Sequence, residues 1–179
     1  MTKHVLTTGA ILLALSGTLL AQRVKELNKT RKSPDDIVMA TVGGKKVTVE
    51  YSRPSKNGRD IFGALLPFDK IWRTGANEIT MLTVEGDFMV GSIHVPAGSY
   101  GLYTIPGKTD WTLVLSKTAK GWGTQYDAAQ DLGRTPMKVG KTAAPVEQLT
   151  ISIDPTGGNN GVLKIAWDNT EATVDLMAH

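Results

Sequence analysis

The clearest alternation of apolar and polar side chains along the chain lies in residues 45–51. Three apolar residues in this run are separated by charged or polar ones. Because successive side chains of a strand point to opposite faces, the run predicts a β-strand with one buried and one solvated face. A second β-rich run, residues 37–42, precedes it, and the glycine pair at residues 43–44 predicts a two-residue hairpin between them.

The same enrichment in β-branched and aromatic residues recurs further along the chain, in residues 79–84, 88–95, 100–105, 111–116, 149–154, 162–167 and 172–177. Glycine, proline, asparagine and aspartate lie between most of these runs, as is typical of tight turns. Nine or more short strands at this spacing predict an all-β fold, a single antiparallel β-sandwich or flattened barrel. One helical candidate, residues 125–132, is expected to form one or two turns.

Residues 58–78, which read GRDIFGALLPFDKIWRTGANE, have neither the helical nor the strand period, and we call them the irregular segment. Long irregular segments of compact domains are commonly functional or disordered, and the apolar content of this one argues against disorder. It is therefore predicted to pack onto the domain while presenting polar groups. Within it, residues 74–77 predict a sharp turn, with a positive φ at Gly75 and a left-handed conformation at Asn77.

The first 21 residues have the pattern of a secretory signal, with Lys3, an apolar run over residues 5–20 and a candidate cleavage site after Ala21. An uncleaved membrane-anchor helix is the alternative, because the run is close to the lower limit of about 17 residues for a spanning helix. Export predicts a periplasmic or envelope-associated protein that contacts the membrane only through its N-terminal segment. Anchoring would instead leave the domain in the cytoplasm, because more basic residues follow the run than precede it.

The chain has 179 residues, of which 41% are hydrophobic and 21% charged, as expected for one globular domain with an appendage. Residues 22–33 are expected to form a basic linker and residues 34–179 the β-domain. Beyond the signal and the linker, residues 33–179 carry 14 basic against 16 acidic side chains. The overall formal charge of +3 thus belongs to the N-terminal part, and a slightly acidic domain predicts no nucleic-acid partner.

Few side chains remain that could carry catalysis or hold a metal. There is no cysteine, which excludes disulfides and thiolate chemistry. Beyond position 21 the histidines are His94 and His179, so neither a histidine zinc site nor a Ser-His-Asp arrangement is predicted. The glycine pair at residues 157–158 lacks the lysine and the strand-to-helix context of a phosphate loop. We therefore predict no metal and no cofactor, and we assign no catalytic residue.

The remaining candidate chemistry is an arginine-rich stretch that contains Arg53, Arg59 and Arg73. A guanidinium is a rigid fork of donors suited to carboxylate, phosphate or sulfate, so three converging arginines predict an anion-binding site. The alternative is structural. Arg73 would then pair with Glu78 or Asp69. Arg59 would pair with Asp60 or Glu50, and such ion pairs would fasten the irregular segment to the barrel.

The leading functional hypothesis is a binding module for an anionic small molecule or a glycan. In this interpretation the three arginines supply charge, Asn77 and Glu78 orient the ligand, and Trp72 offers a face for stacking, with Trp122 as a second aromatic candidate. Two alternatives stay open. One is a structural or assembly protein of the cell envelope, and the other is a hydrolase in which Glu78 and Asp69 form the carboxylate pair.

Several motifs occur together in order: YSRPSKNGRDIFGALLPFDKIWRTGANE, then VPAGSYGLYTIPGKTDWTLVLSK, then WGTQYD. This set resembles the bacterial family called domain of unknown function 2911 (DUF2911). The resemblance runs from about Ser33 to the C-terminus and includes SRP, WRTGANE and IPG at the expected spacings. It implies an exported β-protein, which agrees with the signal pattern, and it implies no particular activity.

Overall fold

The structure, a computed structural model, describes residues 30–179. The expected signal or anchor helix and most of the basic linker therefore lie outside the described residues. The described part contains nine strands and one short 3-10 turn: β1 Asp35–Val42, β2 Lys45–Ser52, β3 Thr80–Val84, β4 Phe88–Val90, β5 Ile93–Val95, β6 Gly98–Pro106, β7 Trp111–Ser116, the turn Ala128–Gln130, β8 Asp131–Gly157 and β9 Asn160–Ala178. No helix within residues 30–179 is long and apolar enough to cross a membrane.

All nine strands belong to one antiparallel sheet, in the order β1-β2-β3-β6-β7-β8-β9-β4-β5. The predicted all-β antiparallel fold is thus confirmed. The sheet is not closed, because β1 and β5 stand at its two ends and do not pair with each other. It curls strongly, so that β1 comes close to β8 and β9 although neither is its neighbour in the strand order. The curl encloses the hydrophobic core.

The first hairpin forms as the alternation of its residues predicts. Val42 pairs with Lys45, and both glycines of the turn between them have positive φ, 56° at Gly43 and 75° at Gly44. Two left-handed residues match the twist of the flanking strands, which is the reason why a glycine pair favours this connection. In β2 the apolar positions are buried and the intervening positions are partly exposed, as predicted.

Three other predicted elements differ from the observed ones. Residues 88–95 form two short strands, β4 and β5, because the chain turns at Gly91 and Ser92. Residues 162–167 and 172–177 are parts of the single strand β9. The helical candidate at residues 125–132 contains only the 3-10 turn, since β8 begins at Asp131 and its first residues pair with β7.

The core has two parts on opposite faces of the sheet. The main cluster includes Trp72, Trp111 and Trp167, with Phe62 packed against it. The smaller cluster contains Ile79, Tyr103 and Val114. Adjacent residues of a strand point to opposite faces, so Leu102 in β6 joins the main cluster while Tyr103 joins the smaller one. This alternation places Tyr103 beside the irregular segment.

Candidate functional site

Trp72 joins the irregular segment to β6. Its backbone N–H donates to Thr104 O at 2.8 Å, and Thr104 N–H donates back to Trp72 O at 2.9 Å. The indole is 8% exposed, its Nε1–H donates to Gly75 O at 3.2 Å, and it stacks on Trp167 with ring centroids 5.9 Å apart. Burial against Trp167 therefore corrects the expectation that Trp72 presents a stacking face at the surface.

The turn at residues 74–77 is tightly packed. Asn77 is left-handed with φ 57°, as predicted, but the other residue with positive φ is Thr74, at 54°. The expected positive φ at Gly75 is wrong. A side chain is excluded there for a different reason: a Cβ on Gly75 would lie 2.9 Å from Thr80 Oγ1 and 3.1 Å from Ser52 O. Close approach of the backbone, not handedness, explains this glycine.

Arg53 is fully engaged within the protein. Its Nε donates to Leu149 O at 2.9 Å, Nη1 donates to Asp36 Oδ2 at 3.1 Å, and Nη2 donates to Thr150 Oγ1 at 2.9 Å. With all three nitrogens bonded, the guanidinium ties the end of β2 to β8. Arg53 lines neither of the two cavities described below. Its contacts match the structural alternative.

Arg59 holds its own loop while staying exposed. Its Nε donates to Lys56 O at 2.9 Å and Nη2 donates to Ser55 O at 2.6 Å. Neither of the carbonyls carries a full charge, so the positive charge of Arg59 is not neutralised by these bonds. The same side chain lines the larger cavity.

Arg73 is the arginine whose surroundings most favour an anionic ligand. Its Nη1 donates to Trp122 O at 2.7 Å, and its guanidinium carbon lies 5.9 Å from the centroid of the Trp122 ring. Burial lowers the pKa of Arg73, and the negative charge of Glu78 acts in the opposite direction. Among the salt bridges of residues 30–179, none involves Arg73. The structural alternative, a salt bridge from Arg73 to Glu78 or Asp69, is therefore not found in residues 30–179.

Asn77 and Glu78 instead fix the N-terminal entry to the domain. Asn77 Nδ2 donates to Ser33 O at 3.1 Å and to Ser52 Oγ at 3.0 Å. Arg31 donates to both Glu78 oxygens at 2.6 Å and also to Asp35. The last residues of the expected basic linker are thus held against the domain by the end of the irregular segment.

The larger cavity has a volume of about 680 Å³, within the range typical of small-molecule sites. It is lined by Lys32, Ser33, Pro54, Ser55, Asn57, Arg59, Leu65, Leu66, Ile71, Trp72, Arg73, Gly75, Ala76, Tyr103, Gly123, Thr124, Tyr126 and Trp167. Three of these residues are cationic and none is Asp or Glu. The charged residues of this cavity are thus all positive, although the domain as a whole is slightly acidic.

Tyr103 lines this cavity although it is only 2% exposed. Its hydroxyl has no hydrogen-bond partner in the described part of the chain, and it is not sealed from solvent. Burial raises the pKa of Tyr103, and the nearby charge of Arg73 acts in the opposite direction. A neutral phenol beside a guanidinium can donate a hydrogen bond to an anion that the guanidinium attracts.

The other lining tyrosine is already committed to protein partners. Tyr126 O–H donates to Asp131, at 2.6 Å from Oδ1, and accepts from Arg134 Nη2 at 2.8 Å. Burial, followed by the hydrogen bond to Asp131, raises its pKa to about 12. Its ring packs edge-on against Tyr103 with centroids 5.1 Å apart, which fixes the Tyr103 ring in place.

The smaller cavity, about 280 Å³, has a different character. Its walls contain four carboxylates together with Arg31 and Lys120. Glu78 lines this cavity, whereas Asp69 lines neither one, so the pair considered for a hydrolase does not share a cavity. No group of three or more His, Asp or Glu side chains within residues 30–179 is arranged to hold a metal ion.

Of the six predicted site residues, the structure brings Arg59, Trp72 and Arg73 to the larger cavity and places Arg53, Asn77 and Glu78 elsewhere. Sequence reasoning did not assign Tyr103 or Lys32 to the site. For Tyr103 the sequence held a signal, because a residue between Leu102 and Thr104 in a predicted strand points to the face opposite to theirs. Lys32 had no such signal, since it lies in a run of basic residues with no pattern.

Fold and site together define a class: an antiparallel all-β domain with a curled, open sheet and a cationic cavity beside the irregular segment. The chain belongs to a family described as Protein of unknown function (DUF2911), whose model matches residues 33–176. This confirms the family resemblance of the motifs. No curated protein and no solved structure matches the chain.

Proposed function

We propose that the protein is a binding module for an anionic small molecule, which the larger cavity holds through Arg73, with Arg59, Lys32 and Tyr103 as further contacts. One observation carries the proposal. Arg73 is partly buried at a cavity that no described carboxylate lines, and within residues 30–179 it forms no salt bridge, although the charge of Glu78 acts on it from outside the cavity. Desolvating a cation costs free energy, and a paired anion offsets that cost.

The surroundings of Arg73 support a ligand-binding role over a purely structural one. Arg53, in the same sequence neighbourhood, has a partner for each nitrogen, among them the carboxylate of Asp36. Within residues 30–179, the guanidinium of Arg73 has one acceptor, the neutral carbonyl of Trp122. Donors that are left free at a cavity wall are available to a carboxylate or a phosphate, for which a guanidinium provides two parallel bonds.

The test compares thermal unfolding of the full-length protein with and without small anions, using benzoate and phenyl phosphate, with benzyl alcohol as the uncharged analogue. A ligand that binds the folded state at a hundred times its Kd stabilises it by about 2.7 kcal/mol, so the melting temperature should rise with the anions only. The variant Arg73→Gln should unfold cooperatively and lose this response.

Lys138→Gln is the matched control, because Lys138 is exposed, pairs with Asp175 and lines neither cavity. It removes one positive charge at a distance from the site and should keep the full response. The proposal is contradicted if neither anion stabilises the wild type, or if Arg73→Gln and Lys138→Gln respond alike.

A further inference from the structure

Exposed apolar side chains are concentrated at the larger cavity. The large hydrophobic residues that are exposed in residues 30–179 are Met39, Leu65, Ile71, Trp122 and Met177. Leu65 and Ile71, which are 42% and 36% exposed, line the larger cavity. Trp122 does not line the cavity, but its ring lies under the guanidinium of Arg73, which does. Two of the five thus line one cavity and a third lies next to it, although single exposed apolar residues are normally scattered.

The irregular segment supplies most of this apolar surface. Leu65, Leu66 and Ile71 follow one another within a few residues, and Leu66 is half-buried against the main core. Cations and apolar side chains therefore share one cavity wall. An inorganic anion or a sugar phosphate would satisfy the cations and leave the apolar surface in water, which is unfavourable in proportion to the apolar area exposed.

Resting on the function proposed above, we propose that the ligand is an amphipathic organic anion. Its single anionic head group contacts Arg73 and the Tyr103 hydroxyl, and its apolar body covers Leu65, Leu66 and Ile71. This assignment accounts for both kinds of lining residue. The cationic side chains attract the anionic head group, and the apolar side chains are removed from water by the apolar body of the ligand. A neutral apolar molecule would leave Arg73 without a counter-ion.

Calorimetric titration of the full-length protein with matched probes tests this inference. Octanoate carries both features, acetate only the charge and octanol only the apolar body, while heptyl phosphate and octyl phosphate replace the carboxylate by a phosphate on a chain of seven or eight carbons. We expect one octanoate per chain, bound at least tenfold more tightly than acetate or octanol. The ratio of the octanoate affinity to the affinities of these two phosphates shows whether the head group is a carboxylate or a phosphate.

Two variants separate the apolar contribution from the charge. Leu65→Ser combined with Ile71→Ser should weaken octanoate binding at least fivefold and leave acetate binding unchanged. Met39→Ser is the matched control, because Met39 is 55% exposed and lines neither cavity, and it should change neither affinity. These substitutions are at exposed positions, so cooperative unfolding should be retained.

The outcomes distinguish the two proposals. If acetate binds as tightly as octanoate and Arg73→Gln abolishes both, the anion site stands and the amphipathic ligand is refuted. If octanol binds as tightly as octanoate and Arg73→Gln changes nothing, the anion site itself is refuted. If none of the probes binds, or if the surface proves to bind a protein partner without responding to octanoate, the amphipathic ligand is refuted as well.

Discussion

Tyr103 is a polar residue of the larger cavity whose side chain is preorganised for ligand binding. Its ring is packed against Ile79, Val114 and the edge of Tyr126, and its hydroxyl is left without a protein partner in residues 30–179. A side chain that is already immobile loses little conformational entropy when it binds a ligand. The geometry therefore favours Tyr103 as a ligand contact.

Replacing Tyr103 with Phe separates the hydroxyl from the ring. Because no protein hydrogen bond is lost, the free energy of unfolding should change by less than about 0.5 kcal/mol. Binding of octanoate should weaken by about 1.5 kcal/mol, or roughly tenfold, which is typical of a hydrogen bond to a charged group. Tyr100→Phe serves as control, since Tyr100 O–H donates to Pro96 O and lines neither cavity. Equal octanoate affinity in wild type and Tyr103→Phe would contradict the assigned contact.

Single residues were predictable from sequence only where the cause is local. The left-handed conformation of Asn77 follows from the short polar side chain of asparagine, which tolerates this region. Arg53 and Arg73 are equivalent by local pattern, and what distinguishes them is distant in sequence. The partners of Arg53 include Leu149 and Thr150, nearly 100 positions away. No local rule encodes those contacts.

Among the elements, the turn at residues 74–77 connects the site to the fold. Thr74 is fully buried, and its Oγ1 lies 3.0 Å from Thr104 Oγ1 in β6. Thr80 Oγ1, at the start of β3, donates to Thr74 O at 2.9 Å. These bonds hold the turn between β3 and β6, so the position of Arg73 is set by a rigid support.

A substitution at Gly75 tests how closely this turn is packed. Gly75→Ala places a Cβ within 3.1 Å of the Ser52 backbone, so we expect a loss of about 1 to 3 kcal/mol in the free energy of unfolding. Gly140→Ala is the control, because that position in β8 is open and its φ is not positive; the change there should stay within about 0.5 kcal/mol of zero. Urea denaturation measures both. Equal stability of the two variants would show that the turn can accommodate a Cβ at position 75, which contradicts the close packing.

Elements whose side chains alternate regularly were predictable, and elements stabilised by their neighbours were not. The hairpin of β1 and β2 combines alternation with a glycine pair, so its turn follows from sequence. Most of β8 lacks such a pattern. Residues 131–148 are rich in small and polar side chains, many of them exposed, and the first of them pair with β7 along the sheet. Tertiary pairing overrides weak local preference there.

At the scale of the whole molecule, the curl of the open sheet brings distant parts of the chain around one cavity. Its wall combines the irregular segment with Tyr103 of β6, Trp167 of β9 and residues from two loops, namely Pro54, Ser55, Asn57, Gly123, Thr124 and Tyr126. Lys32 and Ser33 complete it, next to Arg31, which is held by Glu78. The sequence identified the irregular segment as the place to look. It could not show which polar groups face solvent, because that depends on how the sheet curls.

Octanoate titration of Arg53→Gln and Arg73→Gln, with the free energy of unfolding measured alongside, tests the division of roles between these arginines most directly. Arg53→Gln should lose about 1 to 3 kcal/mol of stability with its three hydrogen bonds and keep wild-type octanoate affinity. Arg73→Gln should unfold cooperatively and lose octanoate binding. The account is contradicted if Arg73→Gln binds octanoate like the wild type, or if both variants lose binding in proportion to lost stability.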